Sequence, residues 1–429
     1  MLARLLYSLL WTLALPFVLL RLVWRACRQP AYLKHVGERF GRYRAATPGR
    51  LIWVHAVSVG ETRAAEPLIR ALMARWPDHS VLITHMTPTG RATSKALFRD
   101  DVRVLRAYLP YDLGWLVHRF LRHFRPDFGL VMETELWPNL LAGCRKRGVP
   151  VMLANARLSA RSARRYARLP GLTALTLGAL DAVGAQTAAD AERLITLGAR
   201  QVTVTGNIKF DVAPTDAARA LGERFRAALG LRPLILAAST REGEEALLVD
   251  AFARLAPANA LLLLVPRHPQ RFDEVETLVQ ARGLSMQRRS ALEAEGEVES
   301  ATRVWLGDSM GEMFAYFSVA DLALIGGSWL PYGGQNLIEA CAVGTPVLIG
   351  PHTFNFSTVA EQAVAVGAAL RCVDVDEAMN TASALLGDDT RRATMASAGL
   401  AFSAADRGAS ARTLERVEAM LAAADSALK

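Results

Sequence analysis

Cysteine is scarce and scattered in this chain. Cys27, Cys144, Cys341 and Cys372 are the only four in 429 residues, and no two stand close enough to make a CxxC site or half a zinc cage. They read as reduced thiols with structural duties, so a disulfide scaffold is excluded. No short repeat or low-complexity tract appears. Charge of one sign is not in large excess either: 50 Lys and Arg against 41 Asp and Glu leave +9. That balance favours anionic partners, whether membrane headgroups, phosphorylated substrates or nucleic acid. No nucleic-acid reader motif accompanies it, so nucleic acid is not an expected partner. No metal-ligand cluster is visible, and chemistry without a metal or other cofactor is expected.

Long apolar runs are also rare, with one exception. Leu5 to Leu20 is almost wholly apolar and is followed by Arg21, Arg25, Arg28, Lys34 and Arg39. Sixteen residues fall short of the roughly 20 that cross about 30 Å of hydrocarbon, and Pro16 would kink a helix. A tilted span and an interfacial anchor both stay open. The segment lacks a small-x-small cleavage site, which favours a retained anchor over a cleaved signal. The arginines after it place the rest of the chain in the cytoplasm.

From Leu51 onward, apolar strand-like runs alternate with helix-length segments. The runs Leu51 to Val59, Val81 to Met86, Phe128 to Met132, Val149 to Leu153, Ala182 to Ala185 and Val202 to Val204 make a first half. A second half follows with Leu234 to Ala238, Leu261 to Val265, Arg303 to Leu306, Leu322 to Ile325, Val347 to Ile349 and Leu370 to Val373. Such alternation implies parallel sheets covered on both faces. The expected class is α/β: two doubly wound Rossmann-like domains, sharing a cleft, behind an N-terminal membrane-anchor helix. The boundaries read as 1–30 for the anchor, 31–211 for the first domain and 212–429 for the second, whose alanine-rich last helix crosses back.

Ligands of such sheets bind outside the carboxyl ends of the strands. In the first half those positions hold Ser58, Gly60 and Glu61; Thr87, Thr89 and Arg91; Glu133 and Glu135; Asn155 and Arg157; Asn207 and Lys209. In the second they hold Ser239, Thr240 and Arg241; Arg267 and His268; Asp308 to Glu312; and the glycine-rich segment LALIGGSWLPYGGQNLIEACAVGTPVLIG, Leu322 to Gly350. There, Asn336 is expected to open a helix behind Gly333 and Gly334, and unpaired amides at a helix start suit a phosphate. Asn336 and Glu339, three apart, also fit a capping box that needs no ligand. Glu133 and Glu135, two apart, share one face if the strand persists. Arg157, Arg161, Arg164, Arg165 and Arg168 bring several cations onto one helical face, suited to anionic headgroups.

Seven segments in order carry a family resemblance: HAVSVGE (His55 to Glu61), METELWPN (Met132 to Asn139), NARLS (Asn155 to Ser159), GNIKFD (Gly206 to Asp211), PRHP (Pro266 to Pro269), GDSMGEM (Gly307 to Met313) and GGSWLPYGGQNLIEA ending at Ala340. Together they resemble the 3-deoxy-D-manno-octulosonic acid (Kdo) transferases of lipopolysaccharide synthesis. The resemblance implies a GT-B glycosyltransferase on the cytoplasmic face of the inner membrane, moving Kdo from CMP-Kdo to the lipid A precursor with inversion. It implies Glu61 as the base, Glu133 as a transition-state or acceptor contact, and Lys209 as the cation for the leaving phosphate. Acceptor contacts would come from Ser58, Gly60, Arg91, Glu135 and Arg157. Donor contacts would come from Pro266, Arg267, His268, Ser309, Met310, Gly311, Glu312, Gly333, Gly334, Asn336, Leu337, Ile338 and Glu339. Here Met310 to Glu312 are expected to begin a helix. A helix N-terminus would weaken Glu61 as a base, so partial burial is expected to oppose it. A UDP-sugar transferase or epimerase of the same fold and a non-catalytic lipid or nucleotide sensor are the competing readings.

Overall fold

The computed structural model describes residues 2–44, 49–292 and 296–427. The chain forms two compact units, 1–211 with 406–429, and 212–405. In the first unit seven parallel strands line up as β3-β2-β1-β4-β5-β6-β7. They are β1 (Leu51–His55), β2 (Ser80–His85), β3 (Val104–Tyr108), β4 (Phe128–Met132), β5 (Val151–Ala156), β6 (Ala182–Ala185) and β7 (Val202–Val204). Strand β1 shows why the sequence reads as an unbroken apolar run. Leu51 and Trp53 enter the core on one face of the sheet, while Ile52 and Val54 enter the core on the other.

The second unit has its own seven strands in the order β10-β11-β9-β8-β12-β13-β14. These are β8 (Leu234–Thr240), β9 (Leu261–Pro266), β10 (Met286–Arg288), β11 (Val304–Leu306), β12 (Leu322–Ile325), β13 (Val347–Ile349) and β14 (Ala369–Arg371). Strands β3 and β10 are additions to the sequence reading, and both lie at sheet edges. One device recurs at the amino ends of the strands. Asp127, Asp181 and Asp321 each accept the first amide of a neighbouring strand, from Leu51, Val151 and Leu234 at 2.7, 2.8 and 2.7 Å. Each satisfies a backbone donor that has no ladder partner.

The last helix, Ala409–Ala427, belongs to the first unit, so the second ends at Ala405 rather than at 429. The Asp211 carboxylate holds the start of that helix, accepting from the amides of Gly408 at 2.6 Å, Ala409 at 3.1 Å and Ser410. Ala409, Val417 and Met420 then join the core beneath the first sheet.

The N-terminal helix runs without interruption from Leu2 to Arg28, through Pro16. It is long and apolar enough to cross a membrane. Its two faces differ. Trp11, Leu15, Val18 and Leu19 pack on Tyr111, Leu113 and Leu116 of the first unit. Polar groups fix the same face: Tyr7 hydrogen-bonds the buried Asp112 carboxylate, which also accepts from the amides of Asn139 at 3.0 Å and Leu140 at 2.8 Å. Asn139 Nδ2 in turn donates to Ser8 Oγ at 3.0 Å. On the opposite face Leu2, Leu6, Leu9, Leu13, Phe17, Leu20 and Trp24 stand exposed.

Candidate functional site

The carboxyl edge of the first sheet gathers three carboxylates. After β1 the chain turns at Ser58, which caps the Val59–Arg75 helix. The apolar run expected as one strand reaches Val59, but β1 ends at His55 and Val59 already begins the helix. Glu61 lies in the first helical turn and reaches back. Its Oε2 accepts from the Val57 amide at 2.9 Å, and its Oε1 accepts from Ser58 Oγ at 2.8 Å. This is close to a capping box. A cap alone would leave the carboxyl acidic, yet Glu61 is pushed up to about 7. Burial is the largest cause, the Val57 amide and Ser58 hydroxyl oppose it, and the charges of Glu133 and Glu135 add to it. Gly60 beside it is exposed, and a Cβ there would meet nothing closer than Ser58 Oγ at 3.9 Å. Among the described residues no neighbouring atom requires a glycine at that helical position.

Strand β4 stops at Met132, and Glu133 adopts φ +56°, so Glu133 and Glu135 are offered by a loop rather than by alternate positions of a strand. A left-handed non-glycine residue costs energy and tends to persist where geometry at a site demands it. Lys209 Nζ pairs with Glu133 Oε1 at 3.0 Å and is not a solvated linker lysine. The Asn207 side chain accepts from the Lys209 amide at 3.1 Å and fixes the short helical turn that carries it. Glu135 accepts from Trp137 Nε1 at 2.9 Å, and burial followed by the charge of Glu133 holds its carboxyl above the usual range. Asn155, also left-handed at φ +54°, sits at the irregular end of β5 and accepts from the Ile208 amide at 3.1 Å. Its side-chain nitrogen is buried without a hydrogen-bond partner among the described residues.

One acceptor-side expectation needs revision. Arg91 is drawn into an ion pair with Glu38, donates to the Arg106 carbonyl at 3.2 Å and lies over the Tyr108 ring, 5.1 Å from its centroid. It clamps the chain after the N-terminal helix to the sheet edge, which leaves its guanidinium committed within the fold. Arg157 is placed by its own carbonyl, which accepts from the Thr134 hydroxyl and joins the loops after β4 and β5. Arg161, Arg164, Arg165 and Arg168 follow, all exposed.

The second sheet has a basic carboxyl edge. Arg267 and His268 follow Pro266 at the end of β9, and the Arg267 amide donates to the Thr240 carbonyl at 2.9 Å. His268 is held below its ordinary pKa by partial burial and then by Arg241, Arg267 and Arg271. Arg241 lies 4.7 Å from the centroid of the Tyr332 ring, at the glycine loop. Gly333 (φ +94°) and Gly334 (φ +79°) are buried, and a Cβ on Gly333 would collide with Asn355.

The helix expected from Asn336 begins at Ile338 and spans five residues. Asn336 accepts from the Ile338 amide at 3.0 Å and donates to Glu339 Oε1 at 3.2 Å, so the pair does organise the helix start. Leu337 and Ile338 bury their side chains in the core and leave only main chain for a ligand. The other helix start also moves: Met313 is the first helical residue, and Met310 and Gly311 lie exposed in the preceding loop. Neither Asp308 nor Ser309 caps that helix. Glu312 accepts from Arg289 at 3.0 Å and from the Tyr316 hydroxyl at 3.0 Å, with Ser309 as a further donor.

Sequence reasoning missed Glu244. It is fully buried, and its carboxylate accepts from the amides of Arg241, Gly327, Trp329 and Leu330 at 2.9, 2.7, 2.9 and 3.3 Å. Burial holds its carboxyl above the ordinary range against those four donors. In the sequence it looks like one of two glutamates in a first helical turn, favoured there by the helix dipole. Three of its four donors lie more than eighty positions away, so no local signal marks it.

Two parallel seven-stranded units, with carboxylates at one carboxyl edge and cations at the other, define a protein of GT-B type. The fold has solved counterparts: UDP-GlcNAc 2-epimerase from Neisseria meningitidis bound to UDP-GlcNAc aligns with a TM-score of 0.56 at 17% identity, covering 86% of this chain and 99% of that one. At that identity the likeness speaks for the fold alone. The family comes from sequence. The model described as 3-Deoxy-D-manno-octulosonic-acid transferase (kdotransferase) matches residues 34–212. A 3-deoxy-D-manno-octulosonic acid transferase of Bordetella pertussis is 47% identical over 409 residues, 92% of this chain and 94% of that protein. One from Haemophilus influenzae is 37% identical over 426 residues, 97% of this chain and 99% of that protein. The chain belongs to the Kdo transferase family.

Proposed function

We propose that this Kdo transferase takes Kdo from CMP-Kdo and attaches it to a hydroxyl of the lipid A precursor (lipid IVA), with inversion at the anomeric carbon and without a metal. The observation that carries the reading is Glu61, a carboxylate poised at about 7. A general base works best when its pKa lies near the working pH. The acceptor hydroxyl gives its proton to Glu61 as its oxygen attacks the anomeric carbon. The bond from that carbon to the phosphate oxygen breaks, and CMP leaves with the electron pair. Gly60 gives the acceptor room to approach, and Ser58, Glu135 and Arg157 line its path. The Lys209 ammonium, held by Glu133, offsets charge on the leaving phosphate. Arg241, Arg267 and His268 receive the donor's anionic groups, with the glycine loop and Glu339 around the nucleotide.

The protein works at the cytoplasmic face of the inner membrane. Its N-terminal helix lies in the interface rather than across the bilayer, because a spanning helix would expose to lipid the face now tied to Asp112 and Asn139. The test is mass spectrometry of tetraacylated precursor incubated with detergent-purified protein and CMP-Kdo generated in situ. The expected result is a gain of one or more Kdo units, unaffected by EDTA and lost with Glu61→Gln. No gain from folded protein, beside an active control transferase, overturns the donor and acceptor assignment.

A further inference from the structure

Beside the N-terminal helix the first unit carries a groove that the chemistry above does not use. One cavity of about 410 Å³ is walled by Tyr7, Leu136, Pro138, Tyr166, Leu169 and Leu172. A second, of about 320 Å³, shares Pro138, Leu172 and Thr176 with the first and continues toward Arg4, Arg145 and Lys146. Each falls within the ~300–1,000 Å³ typical of small-molecule sites. The walls come from the N-terminal helix, the loop after β4, and the helices Pro138–Lys146, Ala160–Tyr166 and Pro170–Leu177.

The groove starts at the candidate site. Leu136 and Pro138 flank Trp137, whose indole donates to Glu135, and Tyr166 lies near enough to feel the Glu135 charge. Cations stand at both ends, Arg165 with the first cavity and Arg4, Arg145 and Lys146 with the second. An apolar bed between cationic rims fits hydrocarbon attached to an anionic head. Apolar walls give a free sugar phosphate nothing to bind, and a neutral lipid would leave the cations unmatched.

We infer that this groove seats one acyl chain of the phosphorylated acceptor lipid, so that the anchoring helix forms one wall of the acceptor site. The inference rests on the acceptor reading proposed above. Moving a chain from a bilayer into an apolar groove gains little affinity, since both surroundings are apolar. What the groove contributes is orientation: a fixed chain fixes the sugar hydroxyl relative to Glu61.

The test uses full-length protein, CMP-Kdo and a tetraacylated acceptor carrying a diazirine in an acyl chain, with photo-adducts mapped by peptide mass spectrometry. Adducts at Leu136, Leu172 or Thr176 are expected, displaced by unlabelled acceptor and not by equal phosphatidylglycerol. Leu172→Trp, which fills the shared stretch, is expected to lower adduct yield and acceptor kcat/KM about tenfold with donor KM unchanged. Adducts confined to the exposed face of the N-terminal helix, or equal displacement by phosphatidylglycerol, overturn the inference. If Leu172→Trp fails to fold, the adduct map of the unaltered protein decides. Kdo transfer in the same tube separates the two claims: transfer without groove adducts removes the groove alone, and absence of transfer removes the reading beneath it.

Discussion

Glu61→Gln is expected to stabilise the protein at alkaline pH while disabling it. The carboxyl is raised from its ordinary 4.5 to about 7, with burial as the largest cause. Below pH 4.5 it is protonated in folded and unfolded chains alike and contributes nothing to the pH dependence. Between 4.5 and 7 the unfolded chain releases the proton that the folded chain keeps, so stability falls as pH rises, and the full penalty is present above about 7. At ~1.4 kcal/mol per pH unit the rise corresponds to roughly 3 kcal/mol. Glutamine removes the buried charge but satisfies only one of the two donors directly. The Val57 amide keeps an acceptor, and the Ser58 hydroxyl must turn to accept instead, which returns about 1 kcal/mol. The net gain is about 2 kcal/mol at pH 8.5, or roughly 4–8 °C for a unit of this size, and it turns into a loss of about 1 kcal/mol at pH 4, where only the hydrogen-bond cost remains. Thermal unfolding of both proteins across pH 4 to 9 is the assay. A Tm difference that does not change with pH, or a glutamine variant less stable at pH 8.5, would refute the claim that burial governs this carboxyl.

Three other outcomes are expected. Lys209→Met should cost no more than ~1 kcal/mol of stability, because the pair with Glu133 is partly exposed, yet slow transfer about 100-fold by removing a preorganised cation; chemical denaturation beside steady-state kinetics checks both. Glu244→Gln turns a donor toward amides that now share a carboxylate, at a cost of about 1–3 kcal/mol; the Tm should fall and donor KM rise while acceptor KM stays, as calorimetry and donor titration would show. Replacing Leu9 and Leu13 by Asp alters only the exposed face of the N-terminal helix, so the protein should leave anionic vesicles in a flotation assay while its Tm moves by less than a few degrees.

How far the sequence could be read follows from where each interaction closes. Strands buried on both faces announce themselves as apolar runs, and all six expected in each half are present. Strand β3 was hidden because Arg103 and Arg106 bring charge to an edge position, and β10 because its three residues are only half-buried, as edge strands tend to be. The cluster of Ser58, Gly60 and Glu61 was legible since strand, turn and helix cap follow one another. Arg91 misled for the same reason: it stands where a ligand contact belongs, and its partner Glu38 is 53 positions away. Nothing local says that Asp211 will hold the last helix, or that one side of the N-terminal helix is docked through Asp112. An all-round apolar helix has no periodicity from which its packed face can be read.

The central claim is that Glu61 is the base of Kdo transfer. The most direct measurement is the pH dependence of kcat/KM for the acceptor in the unaltered enzyme and in Glu61→Gln. The account predicts a rate that climbs with pH to a plateau, with an inflection near 7 set by Glu61, and a variant slower by about 10² to 10⁴ that lacks that inflection. A glutamine variant that keeps the same limb at a comparable rate would contradict it and pass the role to another group.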